Sequence, residues 1–133
     1  MQISAEGRFD VKLAPMAADH ESGAAIGRMT IDKQFHGDLE ATSHGQMLAH
    51  RTAVQGSAGY VAMEIVTGML HGCSGSFVLQ HSGTMDRGEP SLVLTVVPDS
   101  ATGDLIGLRG RMTIVVAGKE HSYVFEGTLP LPG

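Results

Sequence analysis

Residues 92–112, LVLTVVPDSATGDLIGLRGRM, decide how the rest of the chain is read. The run opens as an alternating strand, breaks at Pro98, passes through a turn-rich segment and re-emerges after Gly110 as a second strand over residues 111–116. That is the pattern of a barrel wall folding back on itself. A helix fits only near residues 101–108, and it would be brief. Glycines at 103, 107 and 110 would let the backbone turn with positive φ and pass close beneath a neighbouring strand.

Working outward, the same period of two recurs along the chain. Phe9, Val11 and Leu13 alternate with Arg8, Asp10 and Lys12, and Pro15 is expected to end that strand. Residues 17–25 read as a polar loop. Over residues 26–36, Met29, Ile31 and Phe35 share one face, with Arg28, Thr30, Asp32 and Gln34 on the other. Gly37 and Asp38 mark a turn or bulge before residues 39–50. One parity of that run holds Glu40, Thr42, His44, Gln46, Leu48 and His50, and the other holds Leu39, Ala41, Ser43, Gly45, Met47 and Ala49. Neither face is plainly the core. Residues 60–70, 76–85, 91–97 and 121–129 are further strands, separated by turns at 55–59, 71–75, 86–90 and 117–120. About eight strands joined mostly by short turns suit an antiparallel up-and-down barrel or a sandwich.

Composition sets the class. A chain of 133 residues, 42% hydrophobic, makes one domain with enough core to fold without disulfides or a structural metal. Its 18 glycines are spread along the chain and read as turns, bulges and kinks. A net charge of −5 leaves no basic stripe for phosphates, so no nucleic-acid partner and no acidic lipid surface is expected. No apolar run is long enough to cross a bilayer, no secretory leader opens the sequence, and the single cysteine, Cys73, suits a reducing compartment. A cytoplasmic protein is expected.

Three stretches carry a resemblance: KQFHGDLEAT (residues 33–42), GYVAMEIVTGMLHGCSGSFVLQHSGT (59–84) and VVPDSATGDLIGLRG (96–110). In this order they resemble a bacterial family of unknown function whose members fold as small barrels similar to plant allene oxide cyclase. The likeness runs from about Phe9 to Phe125. It implies an all-β, closed, antiparallel, eight-stranded barrel in a single domain, and it implies no chemistry. Two departures are visible. Gly72 and Cys73 stand where the family's turn would read Gly-Arg, and Gln46 stands where the third strand often carries a glutamate. Both remove a charge.

Glu64 and His81 lie on adjacent expected strands, each among apolar residues of its own face, as polar groups pointing into a barrel lumen do. A buried carboxylate beside an imidazole can exchange a proton with it or with a ligand, and equally the two can be a hydrogen-bonded pair with a structural role alone. Tyr60 shares the parity of Glu64. Glu40 and Gln46, with His44, extend the cluster if their face is the inner one, and the bulge-like Gly37 favours the inward reading for Glu40. These five, Glu64, His81, Glu40, Tyr60 and Gln46, are the ligand-binding candidates.

Other motifs fail. Seven histidines are scattered without HxH or HExxH spacing, so no metal is expected. Gly103, Gly107 and Gly110 lack the dinucleotide-binding order, and GCSGS is not a nucleophile elbow, so no cofactor is expected. Cys73 has no charged neighbour to favour a thiolate. Met47, Met63, Met69 and Met85 would fill core or give a pliable lining. Three functions stay open: a lumen that binds a small apolar molecule with one polar end, an isomerase or cyclase moving protons with the same Glu and His, and a filled barrel acting through its surface. Both parities of residues 60–70 are apolar, so a homo-oligomer that covers the outer one is expected.

Overall fold

A computed structural model describes residues 1–16 and 26–130. The chain forms eight antiparallel strands: β1 (Gln2–Met16), β2 (Gly27–Gly37), β3 (Leu39–Arg51), β4 (Ala58–Leu70), β5 (Cys73–Asp86), β6 (Glu89–Val96), β7 (Arg109–Ala117) and β8 (Glu120–Thr128). Each pairs with the next, and β1 pairs with β8, so the sheet closes into a barrel with no free edge strand. Among the described residues the one helical element is a 3-10 turn, Gly103–Leu105, inside the span expected to hold a brief helix. The polar loop expected over residues 17–25 lies outside the described residues.

The pairing is in strict register along every long ladder, so one parity is inner all the way round the barrel. The inner set is odd-numbered in β1, β2, β3, β5 and β8 and even-numbered in β4, β6 and β7. This settles the ambiguous third strand. Leu39, Ala41 and Ser43 are buried and Glu40, Thr42 and His44 exposed, because the partner strand β4 turns Leu70, Val66 and Glu64 inward.

The core is concentrated at one end. Phe9, Phe35, Phe77, Tyr123 and Phe125 pack there with Leu39, Leu70, Leu79 and Leu94, and Leu105 and Leu108 of the long β6–β7 connection close it from below. Tyr123 accepts the Leu39 N–H at 2.9 Å and donates to the His36 carbonyl at 2.9 Å, pinning the β2–β3 turn. Its hydroxyl reaches that turn because Gly7 leaves the space: a Cβ there would stand 2.7 Å from the phenol oxygen and 2.0 Å from the His36 carbonyl.

The β6–β7 seam is the thinnest, with Thr95 opposite Arg111 as its registered pair. The connecting segment instead tracks β5, where Val97 donates to Val78, Thr102 donates to Ser76 and Ser100 accepts from Val78. Gly103 and Gly107 have φ of +63° and +87°, and Gly110 brings its backbone under Phe125 and Glu126, as the glycine spacing suggested. Most strand limits differ from expectation by one to three residues, β5 for instance beginning at Cys73 inside the expected 71–75 turn, and both ends of β1 differ for a physical reason. β1 starts at Gln2, because small Ala5 and Gly7 hide the alternation that Ile3 begins, and it continues through Pro15. β8 leaves β1 after Phe9, so beyond that point one edge of β1 needs no N–H and proline is tolerated.

Candidate functional site

Four inward side chains converge in the barrel wall formed by β2, β4 and β5. Glu64 on β4 accepts a hydrogen bond from the Lys33 ammonium of β2 at 2.9 Å and from His81 Nε2 of β5 at 2.6 Å, both at Oε2. Tyr60, one turn of the pleat further up β4, places its hydroxyl 3.2 Å from His81 Nδ1. With one proton, on Nε2, the imidazole donates to Glu64 and accepts from Tyr60, so both ring nitrogens are satisfied. The Lys33 ammonium also lies 5.1 Å from the centre of the Phe9 ring and 5.7 Å from that of Phe35. A cation over two aromatic faces is partly compensated for the water it has lost.

The cluster is almost dry, with side-chain exposures of 5% for Lys33, 0% for Glu64 and 4% for His81. Burial pushes the Glu64 carboxyl up, but the His81 hydrogen bond and the Lys33 charge together outweigh it, and the group is held below its ordinary range. Tyr60 moves the other way. Burial first, and then the Glu64 charge, raise its pKa, so it stays a phenol and a donor. The Glu64 carboxylate and the Lys33 ammonium are paired charges within it.

Two polar atoms in this wall have no partner: Glu64 Oε1 and Ser43 Oγ, both fully buried. Ser43 sits opposite Lys33 in the β2–β3 ladder and two residues from Gly45, which faces Glu64. Gly45 is required there, since a Cβ would lie 2.1 Å from the Met63 carbonyl. Above the cluster the inward residues turn apolar and become exposed. Leu13, Met85 and Leu92 are about two-fifths exposed, and Val11, Met29, Met47, Ala49 and Ile114 are half-buried. Among the described residues, the barrel is thus filled at one end, and at the other its inward residues are apolar and partly exposed, with Ile31 and Ala62 buried between them and Lys33 and Glu64.

Of the five candidates, Glu64, His81 and Tyr60 are brought together and Glu40 and Gln46 are not. Glu40 points outward, where its carboxylate accepts the Gly37 N–H at 2.8 Å and braces the turn. The expected inward bulge does not form, since Gly37 turns with φ of +105° and the register resumes unchanged at Leu39. Gln46 lies on the same outer face, opposite Met63. Lys33 was missed, although it shares the parity of Met29, Ile31 and Phe35, and a lysine on an otherwise apolar face was the available signal. Cys73 starts β5 and is half-buried against the core. No group of three or more His, Cys, Asp or Glu side chains is placed to hold a metal among the described residues.

The outer wall presents a second feature. A groove of about 1200 Å³ runs across β2 to β5, with Val61, Met63 and Ile65 about half exposed along β4 and Leu48 beside them. Arg28, Asp32 and His44 line its β2–β3 side, where His44 Nδ1 lies 2.6 Å from Asp32. No helix among the described residues is long and apolar enough to cross a membrane.

Comparison with known proteins locates the chain but brings no activity. Curated proteins contain no match. A crystal structure of a protein of unknown function from Shewanella oneidensis MR-1 is 47% identical, superposes with a TM-score of 0.92, and is covered over 99% of this chain and 100% of its own. That protein is assigned to the DUF3224 family. The model of the same family matches residues 5–126 here, a span that reaches into all eight strands and holds Lys33, Tyr60, Glu64 and His81. The chain therefore belongs to DUF3224, a family of proteins of unknown function.

Proposed function

We propose that this barrel binds a small, mostly apolar molecule end-on in its lumen, with the apolar part in the mouth and a polar end at the Lys33–Glu64–His81–Tyr60 floor. The observation that carries the reading is the set of partly exposed inward apolar side chains at one end of the barrel, Leu13, Met29, Met47, Met85 and Leu92, on the side of the buried cluster where Tyr60 is its half-buried outer member. Inward apolar residues exposed only at the opposite end supply the contact area that such a ligand needs. Native mass spectrometry of the purified protein, then identification of any released small molecule, tests this. Ala49→Phe, which fills the mouth from β3, should abolish the bound species with the strand content unchanged. A ligand retained by that variant would place binding elsewhere.

The Tyr60–His81–Glu64 chain favours one second reading, proton transfer of the isomerase or cyclase kind. Tyr60 is its half-buried outer member, so a bound ligand would exchange a proton at the phenol while His81, oriented by Glu64, relays it. Solvent deuterium entering a recovered ligand at carbon, lost in Tyr60→Phe, is the expected signature.

For the outer wall we propose a second copy of the chain. An isologous contact needs a self-complementary surface, and Val61, Met63 and Ile65 form a neutral apolar strip flanked by one arginine and one aspartate. Sedimentation equilibrium should give a homo-oligomer that Met63→Glu dissociates.

A further inference from the structure

We infer that the outer groove seats a second copy about a two-fold axis lying along the row Thr30–Gln46–Met63, so that Arg28 of each copy pairs with the partner's Asp32. The inference rests on the self-association reading above and adds the geometry of the contact. Two copies meet, their strands run antiparallel across the interface, and two equivalent ion pairs fix the register.

The ladders lay three outward rows side by side across β2, β3 and β4. Thr30, Gln46 and Met63 form the middle row. Arg28, Leu48 and Val61 form the row on one side of it, and Asp32, His44 and Ile65 the row on the other. All three rows line the groove. The two outer rows complement each other strand by strand. On β2 a cation and an anion stand on opposite sides of the middle row, and on β4 two aliphatic side chains do, Val61 and Ile65, 52% and 55% exposed. A half-turn about the middle row exchanges the outer rows. It sets Val61 on the partner's Ile65, Met63 on the partner's Met63 and Arg28 on the partner's Asp32, with each unlike contact made twice, as an isologous interface requires. The long arginine side chain takes up the offset that the usual angle of about 30° between packed sheets introduces.

Charge selects this axis over its rival. A two-fold axis running along the strands keeps each row against itself, which sets Asp32 against aliphatic members of its own row, Ile65 and Val78, and buries it without a cation. In the arrangement proposed, the carboxylate is already positioned for the cross-copy pair: Asp32 Oδ1 lies 2.6 Å from His44 Nδ1, with the Asp32 side chain 48% exposed. Within one copy Arg28 and Asp32 are about 13 Å apart along the strand at roughly 3.3 Å per residue, too far to pair. Between copies the planar guanidinium meets the carboxylate edge to edge.

The test exchanges charges between copies. Sedimentation equilibrium at pH 7 should give a dimer for the parent. Arg28→Asp and Asp32→Arg, each alone, set like charges against each other twice and should weaken the dimer at least about tenfold. Mixed in equal amounts, the two variants regain both attractive pairs, and native mass spectrometry should show the mixed dimer in excess over either homodimer. The double variant should dimerise as the parent does. Both substitutions lie on the outer surface, circular dichroism checks that each barrel is intact, and Arg28→Asp carries the prediction by itself should Asp32→Arg fail to fold. A parent dimer that Met63→Glu dissociates and neither charge variant weakens would overturn the two-fold pairing and spare the second copy as occupant. Weakening by both variants without recovery on mixing would overturn it too, as would a trimer, whose contacts are heterologous. A parent that stays monomeric, with the groove taken by another protein or by none, would sink the self-association reading together with this one.

Discussion

Replacing Lys33 with methionine puts the ionic floor to its hardest test. Methionine matches the stem of lysine as far as Cε and lacks the ammonium, so the change removes the charge while the apolar stem stays filled. What remains is Glu64, with a side chain 0% exposed, held by His81 alone. Breaking a buried ion pair from one side costs about 3–5 kcal/mol because the surviving charge is uncompensated. Losing the ammonium from two aromatic faces is part of that loss. A loss of ~4 kcal/mol is a large share of the roughly 5–15 kcal/mol by which domains are stable. In urea, with a slope of about 2 kcal/mol per molar, the midpoint should drop by about 2 M.

The pH dependence makes the prediction sharper. In the parent, Lys33 and His81 hold the Glu64 carboxyl below its ordinary range, so its charge is constant from pH 7 to pH 5. In Lys33→Met the lysine's charge and hydrogen bond are gone and burial, the largest influence, is opposed by His81 alone, so the carboxyl is expected to rise above its unfolded value of about 4.3. Folding of the variant then takes up a proton, and its stability increases as pH falls, by at most about 1.4 kcal/mol per pH unit. The deficit relative to the parent should be greatest at pH 7 and shrink toward pH 5. Lys33→Met combined with Glu64→Leu should recover part of the loss, since no unpaired charge is left. A deficit under about 1 kcal/mol that is the same at both pH values would refute the argument.

Other perturbations follow from the same geometry. The parent itself should lose stability in acid, because a carboxyl depressed by its partners contributes fully above about pH 4.3 and loses that contribution as pH falls through its lower folded value; Glu64→Gln should flatten this part of the acid-unfolding curve. Tyr123→Phe keeps the ring against Phe35 but strands the buried Leu39 N–H, and should cost about 1–3 kcal/mol in urea titration with lumen chemistry unaltered. Gly45→Ala places a methyl 2.1 Å from the Met63 carbonyl, so β3 and β4 must part; a drop in melting temperature larger than that of Gly27→Ala, where a Cβ meets nothing, is the expected result.

How far the site could be read in advance depended on the neighbours of each residue along the strand. Glu64 and His81 stand out because they interrupt apolar runs, Val66 and Ala62 on one side, Leu79 and Phe77 on the other, and a polar residue on an apolar face is visible to anyone counting by twos. Tyr60 follows by parity. On β3 the count fails, since Ala41, Ser43, Gly45 and Ala49 are as small as the inner face requires and the outer face carries Leu48. Hydrophobicity is then nearly equal on the two sides, so the parity stays open in the sequence; the inward reading favoured for Glu40, on which Gln46 also depended, fails because the β4 register turns both out.

The sequence by itself determined the local order: strand, turn, strand, with glycines where the chain must reverse or pass closely, because alternation and turn chemistry act between residues only a few positions apart. With one cysteine, it also excluded an internal disulfide. Tertiary structure alone decided closure, inner parity on β3, and the meeting of Lys33 with Glu64 and of Glu64 with His81. Those partners are 31 and 17 residues apart in the chain, and only the ladder registers carry them to within 2.9 and 2.6 Å. A lysine on β2 looks like one more surface charge until the barrel wraps β4 around beside it, and then its burial makes the carboxylate obligatory.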